Sequence, residues 1–241
     1  MVIIIMESNN HRTLNNFEDF CIILRECGFS MGGGNPKGIF AVIDFDWKEQ
    51  EFVDSPIKWH TGDPETDPWE WRMRVLYECD DIAYSKLFFK TSGYITLDWY
   101  PYFYAARRQG ADFDYEYRRG RLGDAARRIY EVVSDGEVAL HELKRLAHFT
   151  RDENSRFERA LVELQMKMYI TMCGETRKLG LNGREYGWSS TMFTTVEGFW
   201  QSRGHSLPIC DAEESFERIR DRILELNPSA EQRTIERFIY G

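Results

Sequence analysis

The 241-residue chain has no apolar run long enough to cross a membrane, because a spanning helix takes roughly 20 consecutive apolar residues. Its opening Met1-Val2-Ile3-Ile4-Ile5 lacks the basic flank and the length of a secretory signal. Met6 follows directly and offers a second start. A cytoplasmic location is the expectation. The five cysteines, Cys21, Cys27, Cys79, Cys173 and Cys210, are widely spaced and include no Cys-x-x-Cys pair. That excludes a disulfide framework and a structural zinc site and leaves buried free thiols as the expected state. An excess of positive charge is missing too. The 31 basic and 40 acidic side chains leave −9, which is awkward for any chain that must neutralise phosphates. The glycine-rich Gly32-Gly33-Gly34-Asn35-Pro36-Lys37-Gly38 lacks Gly-x-x-x-x-Gly-Lys-Ser/Thr spacing, so it reads as a loop rather than a phosphate cradle. Neither a metal nor a cofactor is expected.

What is present suits a soluble globular protein with an acidic bias. Residues 1–106 hold 9 basic and 17 acidic side chains, residues 107–184 hold 16 and 13, and residues 185–241 hold 6 and 10. The middle stretch is the one basic part. It also carries the most ordered pattern. Asp124 can cap a helix with Ala125, Ile129, Val132 and Val133 inward, and Ser134-Asp135-Gly136 ends it. Leu140 to Phe149 reads as a second helix. Ser155 to Lys167 reads as a third, with Phe157, Leu161, Leu164 and Met168 on one face and Arg156, Arg159, Glu163 and Lys167 on the other. Tyr169 to Cys173, a Gly-rich tip from Glu175 to Gly187 and Tyr186 to Val196 complete a hairpin. Helix, helix-turn-helix, then hairpin is the winged-helix order, which presents the third helix to a duplex.

Before that stretch, Asn15 to Cys27 reads as a helix with Phe17, Phe20, Cys21 and Leu24 inward and Gly28 as its stop. Ile39 to Phe45 reads as a strand, so Asp44 and Asp46 share a face and form a weak candidate pair for acid-base chemistry. A solvated strand end explains the pair more simply. His60, Asp63, Glu65 and Asp67 sit in a Pro-interrupted loop whose plain reading is a solvated turn. A long helix is predicted from Trp69 to about Lys90, then a strand from Tyr94 to Trp99 and an aromatic segment at Pro101–Tyr104. Arg107 to Arg121 reads as a connector. Phe199 to His205 reads as a loop, Asp211 to Leu226 as an amphipathic helix and Ser229 to Tyr240 as a last short one.

Trp69-Glu70-Trp71-Arg72, Tyr84-Ser85-Lys86-Leu87, Tyr100-Pro101-Tyr102-Phe103-Tyr104-Ala105, Ala126-Arg127-Arg128-Ile129-Tyr130 and Ser155-Arg156-Phe157-Glu158-Arg159-Ala160-Leu161 carry a family resemblance. The chain resembles a bacterial family related to the AlkZ-type winged-helix DNA glycosylases, which unhook azinomycin crosslinks. The resemblance covers roughly Phe17 to Trp200. It implies a tandem winged-helix α+β fold and a DNA-repair context. Those glycosylases carry a Gln-apolar-Gln or Gln-apolar-Asp motif, which the strings around Gln50, Gln109 and Gln165 do not match. Asp44-Phe45-Asp46 has the polar-apolar-polar rhythm but begins with Asp.

The expected organisation is a winged-helix-like domain at 1–110, a winged helix at 111–200 and a helical extension at 201–241. The leading functional expectation is duplex-DNA contact without catalysis through Arg151, Asn154, Ser155, Arg156 and Arg159, with Arg177, Lys178 and Arg184 on the wing. The simpler account of the same residues is a solvated face, in which Arg156 and Arg159 pair with Asp152, Glu153 and Glu163. Two alternatives stand beside it. One is a glycosylase in which Asp44 or Asp46 activates water and Trp47 or Trp59 holds an extruded base. The other is a protein-interaction module whose acidic half meets a basic partner.

Overall fold

The computed structural model describes residues 13–179 and 185–241. Met1, Met6 and Arg184 therefore lie outside the described residues. In chain order the elements are α1 (Phe17–Cys27), β1 (Phe29–Met31), α2 (Pro68–Glu78), β2 (Ile82–Phe88), β3 (Thr91–Thr96) and α3 (Tyr100–Arg108). Then come α4 (Phe113–Arg118), α5 (Asp124–Ser134), β4 (Val138–Ala139), α6 (Leu140–Leu146) and α7 (Asn154–Met166). β5 (Ile170–Leu179), β6 (Glu185–Thr195), α8 (Val196–Ser202), α9 (Ala212–Leu226) and α10 (Gln232–Tyr240) follow. The fold is α+β, with two antiparallel three-stranded sheets ordered β1-β3-β2 and β4-β6-β5. Two compact units divide the chain: Met1–Arg107 with Ile209–Gly241, and Arg108–Pro208.

In the first unit, α1 starts because Asn16 Oδ1 accepts from Asp19 N–H (2.9 Å) and stops at Gly28, whose φ is 93°. A Cβ at Gly28 would lie 2.1 Å from the Trp99 ring, so only glycine fits there. Phe17, Phe20, Cys21 and Leu24 are buried as expected. The sheet pairs Phe29 with Ile95 and Tyr84 with Tyr94. Phe88 stacks on Phe238 at 3.9 Å, and Phe103 meets both Phe29 and Phe238. α10 is thereby part of the first unit's core. Each such buried ring contributes about 1.5–3 kcal/mol.

Three expectations in this unit are corrected. The long helix from Trp69 ends at Glu78, and Cys79 is already extended (φ −117°, ψ 124°). Ile82 to Phe88 is a strand buried almost throughout. Val75, Ile82 and Leu87 mimicked one helical face, although they belong to two elements. The apolar run Ile39–Ile43 is buried but pairs in no strand. Its backbone is held by Ser30 Oγ accepting from Val42 N–H (2.9 Å), by Phe40 O accepting from Met31 N–H (3.1 Å) and by Asn35 Oδ1 accepting from Ile39 N–H (2.9 Å). Two side-chain acceptors and single backbone bonds stand in place of a ladder. The aromatic segment after β3 is the helix α3, with Tyr100 and Phe103 buried.

In the second unit, α5 buries Ala125, Ala126, Ile129 and Val133, and α7 buries Phe157, Ala160, Leu161, Leu164 and Gln165. Val138 of the two-residue β4 pairs with Phe193 of β6. β5 extends through Leu179, past the predicted start of the tip, with Thr176 opposite Ser190. Register irregularities fall at Met172/Gly174 and Thr176/Lys178, and residues 180–184 of the expected tip lie outside the described residues. The predicted loop from Phe199 to His205 is largely α8, capped by the Thr195 hydroxyl accepting from Gly198 N–H (3.1 Å). The predicted connector includes α4, capped by Asp112 accepting from Tyr115 N–H (2.7 Å).

Candidate functional site

The first candidate is the exposed face of α7, held by a turn whose keystone is Arg128 of α5. The Arg128 guanidinium donates to Ala147 O (2.9 Å), to His148 O and to Glu153 Oε1 (3.0 Å), and lies 3.9 Å from the Phe149 ring centroid. Glu153 Oε2 also accepts from Thr150 N–H (3.1 Å). That backbone bond and then the Arg128 contact hold the Glu153 carboxyl below the usual carboxylate range. One arginine therefore ties the end of α6 to the start of α7. Sequence reasoning missed it, because its partners are backbone carbonyls about 20 residues away.

On that scaffold Arg151, Asn154, Ser155, Arg156 and Arg159 all occupy exposed positions at the α7 N-terminal turns. They are not equivalent. Arg156 lies 3.5 Å from Glu153 and 3.7 Å from Asp124. Asn154 accepts from Lys144 Nζ (2.6 Å) and donates to Glu158 (2.8 Å), so both ends of its amide are used. Arg151 and Arg159 make no ion pair among the described residues, and Arg145 of α6 joins them in this. The solvated-face account thus holds for Arg156 and Glu153, while Glu163 pairs with Lys167 (3.2 Å). Arg177 is exposed on β5, and Lys178 stands opposite Tyr186 in the hairpin register. Arg145 was overlooked because it sits on the shorter helix.

The second candidate, in the first unit, is the loop from Asp44 to Trp69. Asp44 and Asp46 do not share a strand face, since no strand is present there. Asp46 Oδ1 instead accepts from Lys48 N–H (2.7 Å) and its carbonyl from Glu49 N–H (3.1 Å), closing a tight turn. Asp44 is exposed by surface area, and partial desolvation of its carboxyl raises it above its ordinary value. Trp47 is 54% exposed, and Trp59 is only 9% exposed. The His60 ring lies 6.4 Å from Trp47, 6.4 Å from Trp59 and 4.9 Å from Trp69, with Arg72 over Trp69 at 3.3 Å and Lys48 over Trp47 at 5.5 Å. His60 has φ 61°, an uncommon left-handed conformation.

Asp67 holds this loop. It is fully buried, and its carboxylate accepts from His60 N–H (3.0 Å), Gly62 N–H (2.9 Å) and Trp69 N–H (2.8 Å). Asp63 accepts from Glu65 N–H and the Thr66 hydroxyl, and Glu65 pairs with Arg74 (2.9 Å). The loop carboxylates are thus spent on its own backbone and neighbours. The sequence signal was available: Asp67-Pro68 is an N-cap followed by proline at the first helical position.

Comparison with known proteins agrees with the resemblance. A family model described as AlkZ related matches residues 14–240. No curated protein and no solved structure matches the chain.

Proposed function

The chain belongs to the AlkZ-related family, and from that premise we propose that it is a winged-helix DNA-binding protein acting in a DNA-repair context. The supporting observation is the order α5-β4-α6-α7-β5-β6 with β4 paired to β6, together with arginines on the exposed face of α7. In that arrangement α7 is the helix that enters the major groove and the β5-β6 hairpin is the wing. In this reading residues 111–200 are the module, residues 1–110 its winged-helix-like tandem partner, and residues 201–241 a helical extension whose last helix, α10, packs into the first unit's core. Arg151 and Arg159 supply phosphate contacts, and Arg156 joins them by releasing Glu153 to Arg128. Asp152, exposed beside them, is the like-charge cost of the approach. Binding is non-catalytic in this reading.

The test is binding of a fluorescent duplex across a salt series. Arg151→Ala/Arg159→Ala flattens the log-log salt slope by about 2, one per lost phosphate contact. A protein that does not bind duplex at low salt overturns the reading and turns the search to protein partners.

A second reading, a glycosylase, draws on Asp44. Its raised carboxyl stands two and three residues from Asp46 and from the half-exposed Trp47, the chemistry of a water-activating group beside a ring for an extruded base. Alkali-sensitive breaks in alkylated duplex that vanish with Asp44→Asn are its signature. No breaks with the unaltered protein removes it.

A further inference from the structure

Away from both candidate sites, the sulfurs of Cys21 and Cys79 lie 3.8 Å apart, from positions 58 residues apart in sequence. Cys21 is on the inner face of α1, and Cys79 caps the C-terminus of α2. They are 4% and 7% exposed. One helical turn beyond Cys21, Arg25 forms a two-pronged pair with Asp81, at 2.6 Å and 2.9 Å, two residues beyond Cys79. The same two segments are thus already clamped side by side. A disulfide needs the sulfurs to close to about 2.05 Å, a small approach for two side chains with a free χ angle each. We propose that Cys21 and Cys79 are an oxidisable dithiol that closes to a disulfide, with hydrogen peroxide as oxidant, tying α1 to the junction of α2 and β2.

The two thiols have different roles. The two thiols share one hydrogen bond in which either sulfur can donate, and the Arg25 guanidinium beside them favours the thiolate of Cys79. Cys79 is therefore the attacking thiolate. Its sulfur bonds to one peroxide oxygen, the O–O bond breaks, and the departing hydroxide takes a proton to leave as water. The Cys21 sulfur then attacks the sulfenic sulfur of Cys79. The S–O bond breaks, and the hydroxyl leaves with the Cys21 proton as a second water. Two thiols lose two electrons, and one peroxide gains them. The other thiols do not compete: burial pushes Cys27 and Cys173 up to about 12 and raises Cys210.

The full-length protein is treated with stoichiometric peroxide, blocked with a maleimide in denaturant, and mapped without reduction. The expected result is a fall in titratable thiols from five to three, a mass loss of about 2 Da reversed by dithiothreitol, and one linked peptide joining Cys21 to Cys79. Thermal unfolding of the oxidised protein shifts upward by several degrees. With Cys21→Ser no link forms, and dimedone labels Cys79. An unchanged thiol titre under excess peroxide, or a link through Cys27, Cys173 or Cys210, overturns the proposal. The mapping of the unaltered protein decides the matter even where a serine variant folds poorly.

Discussion

The two units spend their charge in opposite ways. The unit formed by Met1–Arg107 and Ile209–Gly241 has 15 basic and 25 acidic side chains, and Arg108–Pro208 has 16 and 15. In the first, most of the arginines are committed inward or sideways, although Arg233 is exposed and makes no ion pair among the described residues. Arg107 donates to the carbonyls of Phe238 and Ile239, Arg222 to those of Glu26 and Cys27, and Arg74 bridges Glu65 and Glu78. This unit also exposes rings, at Trp47, Phe52, Trp69, Tyr77 and Tyr240. In the second, Arg128 and Arg108 are committed, the latter to Ala111 O and Met168 O, but Arg145, Arg151 and Arg159 are left in solvent. The net −9 therefore belongs almost wholly to the first unit, at −10, while the second stands at +1. Whole-chain charge is a poor guide to the surface of either unit.

The sharpest break in that contrast comes from removing what holds the aromatic loop. Asp67→Ala leaves three backbone N–H groups around a fully buried position without their acceptor, and the cost is roughly 3 kcal/mol or more. Chemical denaturation measures it. Because the same bonds fix His60 and Trp69, Trp fluorescence quenching by iodide rises in the folded variant. An unchanged midpoint would mean that Asp67 merely fills space. In the second unit, Arg128→Ala removes the link between Ala147, His148 and Glu153, with an expected loss of about 1–2 kcal/mol. Amide exchange, the check here, quickens at Thr150 to Asn154. This pair compares a carboxylate that orders a loop of rings with a guanidinium that orders a turn of cations.

Neither keystone was equally visible beforehand. Caps and stops are local, and local chemistry is legible: Asn16, Gly28 and the apolar faces of α1, α5 and α7 follow from spacing alone. Asp67-Pro68 is a legible cap, yet its loop reads as solvated because nothing nearby in sequence signals burial. Arg128 was not legible, since its three partners come from another helix end. The boundary between α2 and β2 failed for a related reason. A buried edge strand is apolar on both faces, so it lacks the alternation that distinguishes a strand from a helix. Among the proposed DNA contacts, exposure was legible but partnership was not. Arg156 and Arg159 look alike in sequence, and only the fold places Glu153 and Asp124 beside the first.

That difference gives a finer test within one helix. Arg159→Ala and Arg151→Ala each remove an unpaired cation, whereas Arg156→Ala removes one already half-neutralised by Glu153 and Asp124. Each unpaired arginine is expected to weaken duplex affinity about 5- to 10-fold at low salt, with the salt slope falling by about 1. Arg156→Ala is expected to cost less than threefold, since screening and competition already discount an exposed pair. Fluorescence anisotropy titrations at several salt concentrations read both quantities. Equal losses for all three would show that Glu153 gives up Arg156 freely in the complex.

The smallest effect concerns the acidic unit and depends on pH. Partial desolvation raises the Asp44 carboxyl in the folded protein above its ordinary 3.8. The folded state therefore binds more protons than the unfolded state in the window starting there. Stability falls as pH rises through that window and stays lower above it, because the charged form is the one desolvation disfavours. Asp44→Asn removes the ionisation, so it raises the denaturation midpoint slightly at neutral pH. The gain shrinks to nothing once the solution is acidified below the ordinary carboxylate value. Asp46, whose carboxylate accepts from Lys48 N–H, behaves oppositely: Asp46→Ala loses that turn bond and lowers the midpoint at neutral pH. Two carboxylates two residues apart thus answer with opposite signs. Melting curves of both variants across an acid-to-neutral series check this, and a loss of stability in both would mean that Asp44 is governed by a favourable contact rather than by desolvation.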